Sequence, residues 1–284
     1  MILDLQRKTG GSVRQICRIL QLPRSSFYTA QKPTSTRTLD YEIGGRLERI
    51  FQQHRKRYGY RRIWQDLQEE GTVCAPARVR RLMRERGLKA IAPRHFIPRT
   101  SDGRADKPSP NLLLNRPLPV RPNQAWAGDI TFIPTAQGWL YLAVVLDLYS
   151  RKVIGWSLAD HLRSSLVVDA LQQALGSRPV SHSTLFHSDR GSQYGSVAYR
   201  NVLAKAGLDQ SMSARANPYH NARSESFIGT LKTEMLQDGC FENETDARTE
   251  IFEYIEIYYN NQRRHSSLNY LSPNRFETQI PSLT

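Results

Sequence analysis

Residues 124–236 follow an order of hydrophobic patterns that few folds can accommodate. Three strand-like stretches, rich in alternating apolar residues and joined by short turns, come first. The patterns of a helix, a strand, a helix, a strand and a final helix follow them. The predicted ranges are 127–134, 139–147, 152–158, 164–175, 184–187, 197–206, 210–212 and 221–236. This order predicts an α/β domain in which helices flank a mixed five-stranded sheet.

Three acidic residues lie on different elements of that domain. Asp129 falls inside the first strand, Asp189 follows the fourth strand, and Glu225 lies in the last helix, with 35 residues between the second and third acids. Phosphoryl transfer on DNA relies on metal ions that activate the attacking oxygen and stabilise the leaving one. Mg²⁺ takes oxygen ligands such as carboxylates. Asp129 alone would be interpreted more simply as a structural residue, but the three acids together predict a metal-dependent site.

The motifs around the acids resemble the DD(35)E integrase and transposase superfamily and, more closely, the second-frame transposase of the IS3 family of bacterial insertion sequences. The matching pieces occur in the family's order and, with the amino-terminal part included, cover nearly the whole chain. They are residues 126–131, 138–142, 147–151, 154–156, 187–194, 217–232 and 259–265. Two positions depart from the family pattern, because His220 stands where an acidic residue is usual and Arg223 stands where Met is frequent.

The resemblance implies a fold, a reaction and a cofactor. The fold would be a ribonuclease-H-like integrase core preceded by small all-α helix-turn-helix DNA-binding domains. The reaction would be that of a DNA transposase, which binds the element ends, cleaves at their 3′ ends and transfers the freed strands to target DNA. Asp129, Asp189 and Glu225 would be the catalytic residues and would hold two Mg²⁺ ions per active site, with Mn²⁺ as a substitute.

The positive charge of the chain is concentrated in its first 110 residues. These contain 24 Lys+Arg and 10 Asp+Glu, whereas residues 111–284 contain 16 of each, so the whole formal net charge of +14 lies in the first part. This asymmetry favours a DNA-binding part followed by a near-neutral catalytic part. A generic solvated basic surface would give the same composition, and Arg-rich faces also bind RNA or membranes.

The patterns divide the chain into five parts. Residues 10–30 show two helical patterns around a break at Leu22-Pro23, which is typical of a helix-turn-helix and equally of an ordinary helical hairpin. Residues 31–39 are rich in Pro, Ser and Thr and predict a linker. A helix at 246–262 is predicted to precede an irregular tail. The predicted domains are 1–38 (helix-turn-helix), 39–90 (second helical DNA-binding domain), 91–123 (extended linker), 124–240 (catalytic core) and 241–284 (carboxy-terminal helix and tail).

Basic residues on these elements are predicted to contact DNA, because neutralising phosphates raises affinity without reading sequence. Any single arginine fits a solvated surface position better than a base-reading one. Lys232 is also compatible with shielding of the acids or with an ordinary surface position, and His265 with a capped, solvated helix end. His187 is predicted to orient its neighbours or to contact phosphate. The predicted DNA contacts are Arg24, Arg61, Arg62, Arg78, Arg81, Arg84, Arg190, Lys232, Arg263, Arg264 and His265.

The resemblance also implies partners. These are double-stranded DNA (terminal inverted repeats and target), further copies of the chain in a dimer or tetramer on DNA, and the upstream-frame protein of the same element. No run of 18 or more apolar residues and no secretory signal occurs. Cys17, Cys74 and Cys240 have neither zinc-site nor disulfide spacing. We therefore expect a bacterial cytoplasmic, nucleoid-associated protein without a membrane partner.

Two other functions fit part of the sequence. A regulator that keeps the DNA-binding domains without transposing would be favoured by loss of one of the three carboxylates, and all three are present. A ribonuclease-H-type nuclease acting on RNA–DNA hybrids would explain neither the basic helical part in residues 1–110 nor the spacing of 35 residues between the last two acids.

Overall fold

The computed structural model of the protein describes residues 2–31, 35–92, 108–114, 116–180, 183–213, 222–236 and 239–279. The chain divides into two units, Met1–Ala90 and Ile91–Thr284. In the described ranges, no helix combines the length and the apolar character that crossing a membrane requires.

Helices make up the described secondary structure of the first unit. They are α1 (Ile2–Thr9), α2 (Val13–Ile19), α3 (Arg24–Gln31), α4 (Ser35–Gln53), α5 (Tyr60–Glu69) and α6 (Pro76–Glu85). Helix α2 begins with a capping box, in which the Ser12 hydroxyl accepts from Gln15 N at 3.3 Å and Gln15 Oε1 accepts from Ser12 N at 3.0 Å. The predicted break at Leu22-Pro23 lies between α2 and α3 and is confirmed. Helix α1 was not predicted from the sequence, since the predicted helical patterns begin at residue 10.

Helices α4, α5 and α6 share one apolar core. Their buried side chains recur at helical spacing, as an amphipathic face requires. They are Ile43, Leu47, Ile50, Phe51, Ile63, Leu67, Val79, Leu82 and Met83. The predicted linker at 31–39 is wrong for residues 35–39, because α4 already begins at Ser35, and residues 32–34 lie outside the described residues. Ser and Thr do not stop a helix that tertiary packing holds further along its length.

The second unit contains a five-stranded sheet in the order β3-β2-β1-β4-β5. Strands β1, β2 and β3 pair antiparallel, whereas β4 and β5 run parallel to β1, so the predicted mixed sheet is confirmed. The strands are β1 (Ala125–Thr135), β2 (Gly138–Asp147), β3 (Val153–Ala159), β4 (Leu185–Ser188) and β5 (Asp209–Met212).

Helices pack on this sheet in the predicted order. They are α7 (Ser164–Ser177), the short α8 (Ser192–Gly195), which was predicted as a loop, α9 (Val197–Ala206) and α10 (Ala222–Met235). Helix α7 lies so close to β3 that a Cβ at Gly155 would come within 2.3 Å of the Ala170 carbonyl oxygen and 2.7 Å of Ala174 N. The absence of a side chain at Gly155 therefore permits the close approach of helix and strand.

The carboxy-terminal part is more regular than its sequence indicates. Helix α11 (Glu244–Phe252) continues into a π-helical segment, Glu253–Tyr259. A further helix, α12 (Pro273–Thr278), follows, so the prediction of an irregular tail is wrong for this stretch, and residues 280–284 lie outside the described residues. Pro273 occupies the first turn, where its missing N–H costs nothing. Arg178 pairs with Glu277 at 2.8 Å and joins this helix to the end of α7.

Side chains bind the backbone along the outer strand β3. Asn260 Oδ1 accepts from Val153 N at 3.0 Å, and Asn260 Nδ2 donates to Val153 O at 2.9 Å. The Ser177 hydroxyl donates to the Ile154 carbonyl at 2.8 Å. These bonds occupy backbone groups of an edge strand that would otherwise be open to pairing.

Part of the predicted linker packs against the opposite edge of the sheet. Met212 N donates to the Pro110 carbonyl at 3.3 Å, and Leu112 N donates to the Ser211 hydroxyl at 3.0 Å. The stretch around Pro110 therefore lies beside β5 and is not a free spacer. Residues 93–107 and 115 of that predicted linker lie outside the described residues.

Candidate active site

The parallel pairing of β1 and β4 places two of the predicted acids side by side. The register pairs Ala127 with His187. Asp129 and Asp189 follow these partners by two residues each, at the end where β4 stops. Because parallel strands advance in step, the two carboxylates lie at the same level of the sheet.

Aromatic packing beneath β1 fixes the backbone next to Asp129. A Cβ at Gly128 would come within 2.7 Å of Phe186 Cζ and 3.2 Å of Tyr194 Cε1. Both rings are buried, and they pack together with Tyr199. The glycine therefore lets β1 lie directly on the aromatic layer, and the strand cannot move inward at the acid.

Helix α10 brings the third carboxylate to this place. Burial raises the pKa of Asp129 well above its ordinary value, and the charges of Asp189 and Glu225 raise it further. Partial burial also raises the pKa of Glu225, although its side chain remains accessible to solvent, and the charge of Asp189 adds to that rise. The charges of Asp189 and Glu225 are therefore close enough to Asp129 to disfavour its ionisation, as like charges in one site do.

The donor set fits a hard divalent cation, since all three side chains offer oxygen ligands. A bound cation would also relieve the mutual repulsion that raises these pKa values. Across the described residues, no three His, Cys, Asp or Glu side chains converge into a metal-ligand cluster. Asp129, Asp189 and Glu225 are the residues that would hold the cation, the two aspartates from the sheet and Glu225 from α10.

Lys232 lies two turns after Glu225 on α10, beside the acids. Burial lowers the pKa of Lys232, and the charge of Asp129 opposes that decrease. The ammonium is half-buried and near Asp129, which excludes a fully solvated surface position. Both remaining interpretations, contact with a DNA phosphate and shielding of the acids, stay predictions.

The loop after β4 is held by bonds to Asp189 and Arg190. The Asp189 carboxylate accepts from Gly191 N at 2.9 Å. The Arg190 guanidinium donates from Nε to the Ser213 carbonyl at 2.8 Å and remains half-exposed. Arg190 thus ties the ends of β4 and β5 together next to the acids, and its DNA contact stays a prediction.

His187 is fully buried in the sheet. Its Nδ1 lies 2.9 Å from the Ser211 hydroxyl, so the ring joins β4 to β5. A side chain in this position cannot contact phosphate, and only the orienting half of the prediction is compatible with the structure. The other histidine noted in the sequence, His220, lies outside the described residues.

Asp147 and Arg223 have structural partners. The Asp147 carboxylate accepts from the backbone N–H groups of Asn123, Tyr149 and Ser150 at 2.7–3.0 Å, which confirms that it caps the turn after β2. Arg223, one of the two departures from the family pattern, donates to the Leu148 carbonyl. That bond joins the first turn of α10 to the same turn of the sheet.

Three predicted DNA contacts belong to the protein interior. Arg263, Arg264 and His265 are 4%, 6% and 9% exposed. Arg263 pairs with Glu234 at 2.7 Å, and Arg264 donates to the Tyr270 carbonyl at 3.0 Å. As the structure places them, the charged groups of the three face the protein interior, and their contact with DNA stays a prediction.

The arginines of α6 divide into a paired set and an unpaired set. Asp40 on α4 accepts from Arg78 Nε and Arg81 Nη2, each at 2.7 Å. Arg80 and Arg84 are exposed and form no ion pair among the described residues. Arg80, which the sequence analysis missed, could have been found from its four-residue spacing to Arg84 on the face away from the apolar stripe.

Tyr60 at the start of α5 is the centre of a basic aromatic surface. The guanidinium of Arg61 lies 5.1 Å from the centre of its ring, and that of Arg80 lies 5.9 Å from it. Arg62 packs instead over the Tyr58 ring at 5.4 Å. Arg24 is exposed on α3. We refer to Tyr60, Arg61, Arg80 and Arg84 as the Tyr60 surface.

Three family models match the chain. An HTH-like domain covers residues 38–96, and two models, each described as an integrase core domain, cover residues 119–218 and 206–273. Together the integrase core matches span both aspartates, Glu225 and the buried Arg263.

Curated relatives match nearly end to end. The chain is 39% identical over 272 residues to the transposase InsF for insertion sequence IS3A of Escherichia coli (strain K12), covering 94% of each. It is 41% identical over 235 residues to the transposase for insertion sequence element IS904 of Lactococcus lactis subsp. lactis (strain IL1403), covering 83% of this chain and 93% of the relative.

Solved structures show weaker likeness. A chain of the simian T-cell lymphotropic virus intasome in complex with PP2A regulatory subunit B56 gamma is 19% identical, with a TM-score of 0.49 and coverage of 74% of this chain and 69% of that one. The HTLV-2 integrase catalytic core domain in complex with magnesium is 18% identical, with a TM-score of 0.42 and coverage of 57% and 99%.

Proposed function

The chain belongs to the IS3 family of insertion-sequence transposases, and from that premise we propose that it binds the ends of its element, cleaves DNA there and joins the freed 3′ ends to target DNA. It is a polynucleotidyl transferase of the DDE type. The observation that carries the proposal is the pairing of β1 with β4, which places Asp129 beside Asp189 within electrostatic reach of Glu225.

The proposed reaction consists of two displacements at phosphorus. In the first, a water oxygen bonds to the phosphorus of a phosphodiester and the bond to the 3′-oxygen breaks. The proton lost by the water is balanced by one gained on the 3′-oxygen, which leaves a 3′-hydroxyl and a 5′-phosphate. In the second, that 3′-hydroxyl oxygen bonds to a target phosphorus, and a target 3′-oxygen leaves with a proton.

Asp129, Asp189 and Glu225 would hold the divalent cations, which we propose to be two Mg²⁺ ions replaceable by Mn²⁺. Such ions lower the pKa of bound water and neutralise charge at the phosphate. The chain's own contribution is to hold two carboxylates at the end of a rigid sheet and a third on a helix. Lys232 adds a positive charge next to Asp129, where a scissile phosphate would also lie.

The Tyr60 surface supports DNA binding by the first unit. Residues 1–90 contain 20 Lys+Arg against 8 Asp+Glu. Arg80 and Arg84 are exposed and not engaged by acids among the described residues, so each can neutralise a phosphate. Arg78 and Arg81 are held by Asp40, and we assign them to joining α4 and α6. Arg24, Arg61, Arg62 and Arg190 remain proposed DNA contacts.

We also propose the assembly and the place of action. Joining two element ends requires at least two protomers, so we propose a dimer or tetramer on DNA, with the upstream-frame protein of the element as a further partner. The substrate of this assembly would be chromosomal DNA in a bacterial nucleoid.

The proposal is tested by strand joining. The purified full chain is incubated in Mg²⁺ or Mn²⁺ with supercoiled DNA and with linear duplexes that carry element ends. Glu225→Gln should reduce nicking and joining by at least about 100-fold, whereas Asp169→Asn, at an exposed acid on α7, should leave both unchanged. DNA binding without cleavage by any of the proteins would contradict the proposal and favour a regulator.

A further inference from the structure

Two charged side chains are buried between α10 and the segment that follows the π-helical turns. The side chains of Glu234 and Arg263 are only 6% and 5% exposed. The guanidinium donates from Nη2 to Oε1 at 2.7 Å and from Nε to both carboxylate oxygens at 3.0 Å. The hydroxyl of Tyr254 donates to Glu234 Oε2 at 2.9 Å. This multiple pairing fixes the direction of the carboxylate as well as its distance.

Glu234 lies on the face of α10 that points away from Glu225. Phe227, Leu231 and Glu234 follow one another at four and three residues and are all buried, so they form one stripe of the helix. Glu225 precedes that stripe by two residues, which is about 200° around the helix axis. The stripe contacts the carboxy-terminal segment, where the rings of Phe227 and Tyr259 lie 4.8 Å apart.

Helix α10 is therefore held at two points on one face. The Phe227–Tyr259 contact restrains its first half, and the Glu234–Arg263 pair restrains its last turn. The helix has 14 residues, and an α-helix behaves as a stiff rod over that length. Fixing the inner face at both ends sets the direction in which the outer face, with Glu225, points.

Stability alone is a poor explanation for this pair. Replacing a buried ion pair with well-packed apolar residues is often neutral or stabilising, because removing two charges from water is costly. Burial acts to lower the pKa of Arg263, but the charge of Glu234, the hydrogen bond to it and the neighbouring tyrosines together outweigh burial and raise that pKa above its ordinary value. The guanidinium therefore stays charged in the interior, where a directional partner restrains it more tightly than apolar packing would.

We propose that Glu234 and Arg263 are positioning residues, whose pairing sets the rotation of α10 and thereby the place that Glu225 takes beside Asp129 and Asp189. The inference rests on the proposed function, since it concerns how the third carboxylate reaches a metal-dependent site. It gives the buried Arg263 a role without DNA contact. Glu234 and Arg263 act through Glu225 and touch neither the substrate nor the cation.

The test measures metal binding as well as activity. Mn²⁺ is titrated into the full-length protein and its free concentration is followed by electron paramagnetic resonance. The part of the binding that is lost in Glu225→Gln reports on the site. Strand joining is then measured against Mn²⁺ concentration, and DNA affinity is measured without added metal. Glu234→Gln should weaken the Glu225-dependent Mn²⁺ binding about tenfold and leave DNA affinity unchanged.

Glu277→Gln is the matched control, because Arg178 and Glu277 form a second, partly buried pair in the same unit, at 2.8 Å between the end of α7 and α12. Both variants should lower the melting temperature, and only Glu234→Gln should shift the Mn²⁺ dependence. If folded Glu234→Gln binds Mn²⁺ as tightly as Glu277→Gln does, the inference is overturned. If the wild type shows no Glu225-dependent Mn²⁺ binding and no joining, the proposed function fails and the inference falls with it.

A second variant keeps the test informative if Glu234→Gln does not fold. In the double variant Glu234→Gln with Arg263→Met, no unpaired charge remains in the interior, so the fold should be retained. The directional bond is still absent, and the Glu225-dependent Mn²⁺ binding should again be weakened about tenfold. A folded double variant with wild-type Mn²⁺ binding overturns the inference. Arg263→Lys keeps one donor for Glu234. Mn²⁺ binding by this variant that lies between that of the double variant and that of the wild type would support the inference.

Discussion

Asp129 occupies a position that disfavours its own charge. Burial raises its pKa well above the ordinary value, and the charge of Asp189 raises it further. A carboxyl whose pKa is higher in the folded than in the unfolded chain contributes stability below the unfolded-state pKa. That contribution is lost as the pH rises through the folded-state pKa. In the metal-free protein, this residue therefore opposes folding at neutral pH.

Asp129→Asn should stabilise the protein when metal is removed. In EDTA at pH 7.5 its melting temperature should exceed that of the wild type by a few degrees, and the difference should shrink towards pH 4. Added Mn²⁺ should stabilise the wild type and not the variant. Calorimetry across this pH range checks the prediction, and a variant less stable than the wild type at pH 7.5 would contradict it.

Gly128→Ala should strain the layer beneath Asp129. The added methyl group would meet Phe186 Cζ at 2.7 Å, and overpacking of this kind costs about 1–3 kcal/mol. Urea unfolding measures the loss, and strand-joining activity should also decrease because β1 must shift at the acid. Gly176→Ala on α7 is the control, since no atom lies within 4 Å of the added group. Equal stability of the two variants would refute the packing argument.

Residue roles could be predicted from the sequence where a motif carries them, and not where a distant partner decides them. The spacing of Asp129, Asp189 and Glu225 led to the acidic site. The run Arg263-Arg264-His265 looked like a basic surface, because nothing in it indicates the carboxylate of Glu234, 29 residues upstream. Burial of a charge depends on a tertiary partner, which local patterns do not reveal.

At the scale of elements, the strands and helices of the sheet domain, apart from the short α8, could be predicted to within about two residues. Helix α9 has the predicted bounds 197–206. The π-helical segment Glu253–Tyr259 could not be predicted, because its period is not visible in the spacing of apolar residues. Helix α12 was missed because six residues are too few to show a period, and its docking through Glu277 is tertiary.

Asp40 links two elements of the first unit. Hydrogen bonds from Arg81 and Arg78 lower its pKa. A depressed pKa contributes stability above the unfolded-state pKa, and this contribution is lost as the pH falls through the folded-state pKa. The link between α4 and α6 should therefore weaken in acid.

Asp40→Asn should loosen that link at neutral pH. Hydrogen exchange should become faster in α4 and α6, because an amide nitrogen cannot accept from the second arginine. The wild type and the variant should converge as the pH falls towards 3. Glu70→Gln, which breaks the exposed Arg49–Glu70 pair at 2.6 Å, should change exchange little. Unchanged exchange in Asp40→Asn would show that the link is dispensable.

At the scale of the whole molecule, charge separates the two units. The excess of basic residues in the first 110 positions could be counted from the sequence. Which of those basic side chains remain available for DNA could not be predicted from the sequence, because it depends on which acidic side chains reach them in the fold. Asp40 engages Arg78 and Arg81 and leaves Arg80 and Arg84 exposed.

Replacing both exposed arginines, Arg80→Gln with Arg84→Gln, should change the salt dependence of duplex DNA binding. The slope of log K against log salt should become shallower by about 2, since each neutralised phosphate contributes about 0.9. Fluorescence anisotropy over a range of salt concentrations measures this slope. Arg49→Gln removes a charge that Glu70 already engages and should leave the slope nearly unchanged. An unaltered slope in the double variant would exclude the Tyr60 surface as a DNA contact.

The hydrogen bonds from side chains to the backbone of β3 affect how closely copies of the protein can approach one another. Copies of a transposase gathered on two DNA ends reach a high local concentration, at which an open sheet edge would recruit a neighbour's strand and seed aggregates. Asn260 occupies both backbone groups of Val153, and the stretch around Pro110 lies against β5 at the other edge. In the proposed dimer or tetramer, protomers could therefore lie close together without pairing their sheets at these positions.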